Sequence, residues 1–329
     1  METVILKGEK AILEGARLIQ SGDVVVFPTE TVYGLGANAF DEEAVKKIYL
    51  AKGRPSDNPL IVHISSKDQI NSLVENINPY AQKLIDAFMP GPITIIMPKA
   101  KNIPSIVTGG LQTVGIRMPI HPVANSFIKA CGCPIAAPSA NVSTHISPTN
   151  AFDVYEDMQG RVKLIIDGGD CNVGIESTIV DTTSSIPTIL RPGGVTAEMI
   201  LSVLGCVQSF TGEVKVALAP GMKYRHYAPS SNMIIAQNND IKTKYEEAKE
   251  KGYNPIIIAE QQLIDSLSNI KYISVGSTDD EIMRNIFASM RKADRVSDYI
   301  ICQDFGNEGK RGSVMNRVKK AAGNGTNNN

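Results

Sequence analysis

The sequence has almost no net charge and no ordered cysteine pattern, and these two absences exclude several classes of protein. Its 329 residues include 33 Lys and Arg against 34 Asp and Glu, which gives a formal net charge of -1. A chain balanced in this way exerts no bulk electrostatic attraction on nucleic acid. The five cysteines are odd in number and form no CxxC pair, so they fit neither a secreted disulfide framework nor a zinc site, and we expect free thiols.

Membrane-spanning runs and the familiar nucleotide-binding glycine motifs are also missing. No apolar stretch follows Met1, and the longest apolar runs are interrupted by glycine, proline or charge before they reach the length of a membrane span. We therefore expect a soluble, cytoplasmic protein without a membrane partner. The sequence contains no GxxxxGKS or GxxxxGKT loop and no GxGxxG fingerprint, which argues against a kinase and against a conventional dinucleotide-binding domain.

Apolar runs and chain-breaking residues predict two α/β domains joined by a linker. Residues 1–205 carry many short apolar runs between helical segments, which predicts a twisted mixed sheet flanked by helices. Residues 206–231 include LAPGMKYRHYAP, whose prolines and glycine break regular structure, and form the predicted linker. Residues 232–322 alternate buried strands with helices and predict a smaller Rossmann-like α/β domain. The polar GNGTNNN end, 323–329, is predicted to be disordered.

A polar turn follows the apolar strand VVVF. The segment PTETVYGLG places hydroxyl groups at Thr29, Thr31 and Tyr33 and then leaves the turn through Gly34 and Gly36. Polar side chains at the end of an apolar strand commonly line a binding site. We therefore predict that this turn belongs to a site.

Two cations lie one residue apart at the end of a predicted helix. The segment DEEAVKKIYLAKG shows helical spacing of its apolar residues and is stopped by Gly53 and Pro55, so Lys52 and Arg54 emerge at its C-terminus. The planar fork of arginine and the point charge of lysine together suit a polyphosphate or a carboxylate. The alternative is that both residues only complement the helix dipole.

A second strand-and-loop segment, PIAAPSANVSTHISPT, repeats this arrangement. Its apolar strand is followed by a loop of small hydroxyl and amide side chains, among which we single out Ser139 and Asn141. Short polar side chains of this kind can hydrogen-bond phosphate or ribose oxygens without steric conflict. An ordinary turn rich in Ser and Asn is the alternative.

Together these motifs resemble the YrdC-like family of threonylcarbamoyl-AMP synthases. The KxR and SxN pairs are accompanied by PTETVYGLG and KGRPSDNPL, and further family-like segments follow in order: FMPGPITII, VGIRMP, GIESTIVD and ILRPGGV. The resemblance is continuous from about residue 8 to residue 205, with one local departure at Met89, where many members have Trp. The rest of the chain is similar to the long, two-domain form, in which a linker lies over the active site of the YrdC-like domain.

The resemblance implies a nucleotidyltransferase that converts L-threonine, bicarbonate and ATP to threonylcarbamoyl-AMP, pyrophosphate and water. Its product would supply the threonylcarbamoyl transferase machinery that modifies tRNA next to the anticodon. Strong direct binding of tRNA is not expected from the balanced charge. Such a reaction uses Mg²⁺, held mainly by the phosphates without a protein side-chain ligand, and it needs close positioning more than a protein nucleophile.

The site residues of the family carry over to the matching positions of this sequence. Lys52 and Arg54 are implied to be catalytic, and Arg117 is the natural partner for the carboxylate of threonine. For His63, a strand-end histidine satisfied by backbone is the alternative to threonine binding. The implied ATP-binding residues are Arg54, Asn58, Thr113, Ser139, Asn141, Ser147, Arg191 and Tyr227. The implied L-threonine-binding residues are Thr31, His63, Arg117, Ala137 and Ser177.

Two other functions stay open at this point. One is a carbamoyl-phosphate-dependent transferase of the hydrogenase-maturation type, which contains a related domain together with acylphosphatase and zinc-finger regions that have no trace here. The other is a non-catalytic RNA-binding module, against which the balanced charge argues. We also predict that the linker acts as a lid over the nucleotide, because Tyr224 and Tyr227 accompany its charged residues.

Overall fold

Residues 1–211, 217–220 and 226–323 are described by the structure, a computed structural model. The chain divides into two units. Unit 1 comprises residues 1–143, 148–172 and 176–224, and unit 2 comprises residues 144–147, 173–175 and 225–329. Parts of the predicted linker, 212–216 and 221–225, and residues 324–329 of the predicted tail lie outside the described residues. The predicted domain boundaries at residues 205 and 231 stay predictions.

Unit 1 is an α/β unit in which short strands alternate with helices. Its strands are β1 Val4–Lys7, β2 Val25–Phe27, β3 Gly34–Asn38, β4 Ile61–His63, β5 Ile93–Pro98, β6 Thr113–Arg117, β7 Ile135–Ala137, β8 Leu164–Asp167, β9 Thr178–Asp181, β10 Thr188–Arg191 and β11 Gln208–Ser209. Its helices are α1 Gly8–Gln20, α2 Glu42–Lys52, α3 Pro79–Phe88, α4 Pro122–Cys131, α5 Ala151–Met158 and α6 Ala197–Leu204, with a short 3₁₀ helix at Lys67–Ser72.

All eleven strands join one mixed sheet in the order β1-β8-β2-β3-β7-β4-β6-β5-β9-β10-β11. Parallel pairs such as β4–β6 and β5–β9 alternate with antiparallel pairs such as β4–β7 and β5–β6. This confirms the mixed sheet predicted from the apolar runs, each of which forms one of the strands. The strands nearest the middle, β7, β4 and β6, bring distant parts of the sequence together.

Strand β3 differs from the sequence prediction, which treated its glycines as the exit from a turn. Gly34 and Gly36 instead pair with β2 on one side, and the strand pairs with β7 on the other. A Cβ atom at Gly36 would lie 2.6 Å from Ile135 Cγ2 and 2.9 Å from Phe27 Cε1. Position 36 therefore requires glycine, because the side chains of Ile135 and Phe27 occupy the space that a Cβ atom would need. Gly36 lies within β3 and does not mark the end of a strand.

Helices cover both faces of this sheet because its strands alternate two sets of apolar side chains. Val25 and Phe27 of β2 point into a core with α1 and α4, whereas Val26 points into the larger core with α2, α3, α5 and α6. A third cluster on the sheet contains Ile61 and Ile179, and the linker residue Ala219 packs into it. The described linker residues 217–220 thus lie against the sheet of unit 1.

Unit 2 has the parallel α/β pattern predicted for it. Strands β12 Asn232–Ala236, β13 Pro255–Ala259, β14 Tyr272–Ser274 and β15 Tyr299–Gln303 form a parallel sheet in the order β12-β15-β13-β14. The helices are α7 Ile241–Glu250, α8 Gln261–Asp265, α9 Asp279–Val296 and α10 Gly309–Ala321. The sequence did not predict α8, and the last helix, which its pattern places near Val314 to Ala322, begins earlier, at Gly309. Among the described residues of the chain, no helix is both long and apolar enough to span a membrane.

Replacing Gly36 with alanine should destabilise unit 1 without changing its surface. The added Cβ would overlap Ile135 and Phe27, and overpacking of this kind costs about 1–3 kcal/mol of unfolding free energy. Urea denaturation followed by circular dichroism measures the difference. The exposed Ser202→Ala substitution on α6 is the control, with an expected change within about 0.5 kcal/mol. Equal stability of Gly36→Ala and the wild type would contradict the packing described here.

Candidate active site

Six of the fourteen predicted site residues lie where strands of the unit 1 sheet begin or end. His63 and Arg117 are the last residues of the parallel neighbours β4 and β6, and they are partners in register. Thr113 begins β6, so this predicted ATP residue and the predicted threonine residue Arg117 occupy opposite ends of one strand. Three more of the predicted residues lie at strand termini, namely Ala137 at the end of β7, Ser177 before β9 and Arg191 at the end of β10.

The guanidinium group of Arg117 is buried against the turn between β2 and β3. Its Nη1 donates a hydrogen bond of 2.8 Å to Thr31 Oγ1, and its Nη2 lies 2.7 Å from Glu30 Oε1. The side chains of Arg117 and Glu30 are each only 4% exposed. Thr29 Oγ1 lies 2.9 Å from Thr31 Oγ1 and extends the network. The turn predicted from its hydroxyls therefore does meet Arg117, and it adds a carboxylate that the sequence analysis missed.

His63 is held neutral at the end of β4. Its ring meets Phe27 edge to face at a centroid distance of 5.8 Å, and Nδ1 lies 3.1 Å from the carbonyl oxygen of Ile61. Burial, and then the positive charge of Arg117, lower the pKa of His63 to about 3. The backbone contact expected from the alternative interpretation is present, and threonine binding by His63 stays a prediction.

Lys52 ends α2 and is directed at the loop that carries the SxN pair. The helix stops at Gly53, which adopts the left-handed conformation at φ 61°. The Lys52 ammonium group donates to the carbonyl oxygens of Ser139 at 2.5 Å and Asn141 at 2.6 Å, and Asn141 Oδ1 lies 3.4 Å away. Burial, and next the nearby charge of Arg54, hold the pKa of Lys52 well below its usual value.

These contacts give Lys52 a positioning role toward the loop. An ammonium group has three donors, and all three have acceptors in the loop. The Ser139 hydroxyl then donates 2.6 Å to Asn141 Oδ1, and the Ser143 amide donates 2.9 Å to the Lys52 carbonyl oxygen. The KxR and SxN motifs, 87 residues apart, therefore form one hydrogen-bonded structure.

The segment after Lys52 carries a buried amide with unused hydrogen-bonding groups. Asn58 is 1% exposed, and among the described residues neither atom of its side-chain amide has a hydrogen-bond partner. Arg54 is partly exposed, and its Nη2 donates 3.3 Å to the carbonyl oxygen of Pro59. Buried polar atoms without partners are rare in folded proteins and commonly mark a site that a ligand completes.

Ser177 and Arg191 form a third group with a threonine that the sequence analysis did not select. The Ser177 hydroxyl lies 2.7 Å from Thr94 Oγ1. Arg191 donates through Nε and Nη2 to the carbonyl oxygen of Ser177 at 3.1 and 3.0 Å. Its Nη1 donates 3.3 Å to the carbonyl oxygen of Pro220 in the linker. A residue predicted for threonine and one predicted for ATP thus contact each other directly.

The linker also closes a small pocket on the sheet beside this group. Thr94, Thr113 and Gly115 line it from β5 and β6, and Leu218 and Pro220 line it from the linker. Its volume is about 10 Å³, which is room for one water molecule at most. The described part of the linker therefore packs against β5 and β6 beside the predicted ATP residue Thr113, and its role over the site stays a prediction.

Two of the predicted ATP residues, Ser147 and Tyr227, are assigned to unit 2. Ser147 is 2% exposed. Tyr227 is buried and stacks on Phe287 of α9 with ring centroids 5.1 Å apart, and its φ of 62° is unusual for a residue other than glycine. Their contribution to nucleotide binding stays a prediction. Tyr224, the other linker tyrosine named in the lid hypothesis, lies outside the described residues.

Two family models together span most of the sequence. Residues 17–193 match the Sua5/YciO/YrdC model, described as telomere recombination, and residues 195–323 match the Sua5 C-terminal model, described as threonylcarbamoyl-AMP synthase, C-terminal domain. The chain belongs to the Sua5/YciO/YrdC family. The presence of both models identifies it with the long, two-domain form that its sequence resembles.

Two relatives that match over nearly the whole chain carry the same name. It is 43% identical to a Pyrococcus abyssi protein named threonylcarbamoyl-AMP synthase, over 98% of each chain. It is 40% identical to a Bacillus subtilis protein of the same name, over 95% of this chain and 93% of the relative. A crystal structure of Pyrococcus abyssi Sua5 complexed with L-threonine matches with a TM-score of 0.93 at 42% identity, over 98% of both chains.

The pH dependence of the unfolding free energy should show that His63 is neutral in the folded protein. Its pKa is 6.5 before folding and about 3 afterwards, so its contribution to stability is complete above pH 6.5 and is lost as pH falls from there toward 3. From pH 7.5 to pH 5 the loss is about 2 kcal/mol. Urea denaturation across this range should show a shallower fall for His63→Gln than for the wild type. Parallel curves for the two proteins would contradict a neutral, buried His63.

Proposed function

We propose that this protein is a threonylcarbamoyl-AMP synthase, which converts L-threonine, bicarbonate and ATP to threonylcarbamoyl-AMP, pyrophosphate and water. The observation that carries the proposal is the full-length match to relatives of that name, through both domains. The L-threonine complex of a protein that shares 42% of its sequence supports threonine as the amino acid. The structure supports it further, because the buried side chains described above carry the charges that an amino acid and a polyphosphate need.

In this proposal the threonine carboxylate is bound by Arg117. A guanidinium group offers paired donors to a carboxylate, and Arg117 Nε has no hydrogen-bond partner among the described residues. The neutral His63 beside it adds no competing charge. Thr31, Ala137 and Ser177 complete the predicted threonine residues at the surrounding strand termini and turn.

The nucleotide is bound by the segment after α2 and by the SxN loop. Arg54 and Asn58 supply donors for the triphosphate, and Ser139 and Asn141 contact the nucleotide from the loop that Lys52 holds in place. The proposed chemistry is attack of a threonine carbamate oxygen on the α-phosphate of ATP. Rate acceleration then comes from positioning and from cations that spread the phosphate charge.

In this proposal Mg²⁺ is bound through the phosphates of ATP. Among the described residues no group of three or more His, Cys, Asp or Glu side chains could hold a metal ion. The phosphate oxygens of ATP are the proposed ligands of Mg²⁺. We also propose that the product is passed on to a transferase that modifies tRNA, a partner inferred from the enzyme name of the relatives.

Pyrophosphate release from ATP tests the proposed function. The measurement is made with each of the twenty amino acids in bicarbonate buffer and in bicarbonate-depleted buffer. We expect release that requires both L-threonine and bicarbonate, and mass spectrometry should detect threonylcarbamoyl-AMP. Release without threonine, or none with any amino acid, would overturn the proposal and favour another substrate for this fold.

Asn58→Leu should raise stability while it weakens ATP binding. The substitution removes two buried amide atoms that lack partners in the protein, so unfolding free energy should rise by about 1–2 kcal/mol. The variant also lacks the amide that would hydrogen-bond the triphosphate, so the Kd for ATP should rise about tenfold. Calorimetric titration with ATP and urea denaturation give the two values.

The matched control for this substitution is Asn78→Leu. Asn78 caps α3 through the Ala81 amide and donates to the carbonyl oxygen of Thr182, so its loss should lower stability by about 1–2 kcal/mol. Its ATP affinity should not change. If Asn58→Leu lowers stability to the same extent as Asn78→Leu, the Asn58 amide has a structural role and not a binding role.

A further inference from the structure

The Glu30–Arg117 pair has hydrogen-bonding capacity left over on both sides. Glu30 Oε1 lies 2.7 Å from Arg117 Nη2, close enough for an ion pair but not aligned for a hydrogen bond. Glu30 Oε2 and Arg117 Nε have no hydrogen-bond partner among the described residues. Both side chains are 4% exposed, so water does not satisfy these atoms freely. Both oxygens of Glu30 and one donor of Arg117 thus lack hydrogen bonds within a single buried pair, and Oε1 has only the ion-pair contact.

A pair that served the fold alone should be better satisfied. Carboxylates and guanidinium groups commonly form two parallel hydrogen bonds, and a buried ion pair compensates its desolvation only when its remaining polar atoms are also bonded. Here the second oxygen and Nε stay outside the pair, while Nη1 is used by Thr31. The arrangement therefore suits a third group that accepts from Arg117 and donates to Glu30.

A zwitterionic α-amino acid is such a group. Its carboxylate and its ammonium group are attached to the same carbon, so one molecule presents an acceptor and a charged donor side by side. Charge-assisted hydrogen bonds of this type are about twice as strong as neutral ones. A ligand with only one of the two charges would leave either Glu30 or Arg117 buried and incompletely bonded.

We infer that Glu30 binds the ammonium group of L-threonine while Arg117 binds its carboxylate, so that the pair selects the zwitterion. This rests on the proposed function, because it names how the same site recognises its amino acid. The amine of threonine must become the carbamate nitrogen, so the residue that binds the ammonium also fixes the reacting atom. Glu30 then determines specificity for an amino acid over a hydroxy acid.

Binding measurements with threonine analogues test the inference on the wild-type protein. (R)-3-Hydroxybutanoate keeps the carboxylate and hydroxyl of L-threonine but lacks the ammonium group. We expect calorimetric titration to give a Kd at least about tenfold higher for this analogue than for L-threonine. Equal affinities would overturn the inference whatever any variant does.

Glu30→Gln separates ammonium binding from other roles of the carboxylate. The variant should bind L-threonine about tenfold more weakly, while its Kd for (R)-3-hydroxybutanoate stays equal or falls. Its Kd for ATP should be unchanged, which also shows that unit 1 is folded. An equal loss of affinity for both acids would overturn the inference, because Glu30 would then only position Arg117.

A control and a second variant complete the experiment. Glu260→Gln removes a Glu–Arg pair of similar length, 3.0 Å to Arg311 in unit 2, and should keep the preference for L-threonine. If Glu30→Gln does not fold, Glu30→Asp keeps the charge but withdraws the oxygens, and an unreduced preference in that variant overturns the inference. Failure of the proposed function is distinct, since the wild type would then release no pyrophosphate in response to threonine.

Discussion

The burial of the Arg117 charge is the constraint on which the rest of the candidate site depends. Moving a guanidinium group out of water costs several kcal/mol unless a counter-charge and hydrogen-bond acceptors replace the lost hydration. Glu30 provides the charge and Thr31 the acceptor, and both come from the turn between β2 and β3. The strand order brings that turn near Arg117. Strand β3 pairs with β7, β7 with β4, and β4 with β6, which ends at Arg117.

The other buried cations of unit 1 are compensated in different ways, and the difference bears on function. Lys52 gives its donors to the Ser139 and Asn141 carbonyl oxygens, so its charge is used to hold a loop. Arg191 donates to the carbonyl oxygens of Ser177 and Pro220 and joins the sheet to the linker. Arg117 instead lies in an ion pair with the carboxylate of Glu30. In the proposed function, this pair is the one that exchanges partners with an amino acid.

The sequence predicted the elements of the fold more completely than the contacts of the site. Apolar runs identify buried strands because burial on both faces leaves a continuous hydrophobic signal. Strand β3 has no such signal, since Gly36 is dictated by the distant Ile135 and by Phe27. Glu30 was missed for a similar reason: within PTETVYGLG it resembles any polar turn residue, and its partner Arg117 lies 87 residues away in the chain.

One hydroxyl of the predicted site turn is hydrogen-bonded inside the fold. The Tyr33 hydroxyl was grouped with the site turn, but it donates 2.7 Å to the carbonyl oxygen of Gly169, and burial raises its pKa. Residues with all polar atoms bonded inside the protein support the fold, whereas Glu30, Asn58 and Arg117 keep polar atoms unbonded at considerable cost. In the proposed function a bound substrate supplies the missing hydrogen bonds and recovers that cost, so substrate affinity and the stability of the bound state would arise from the same few atoms.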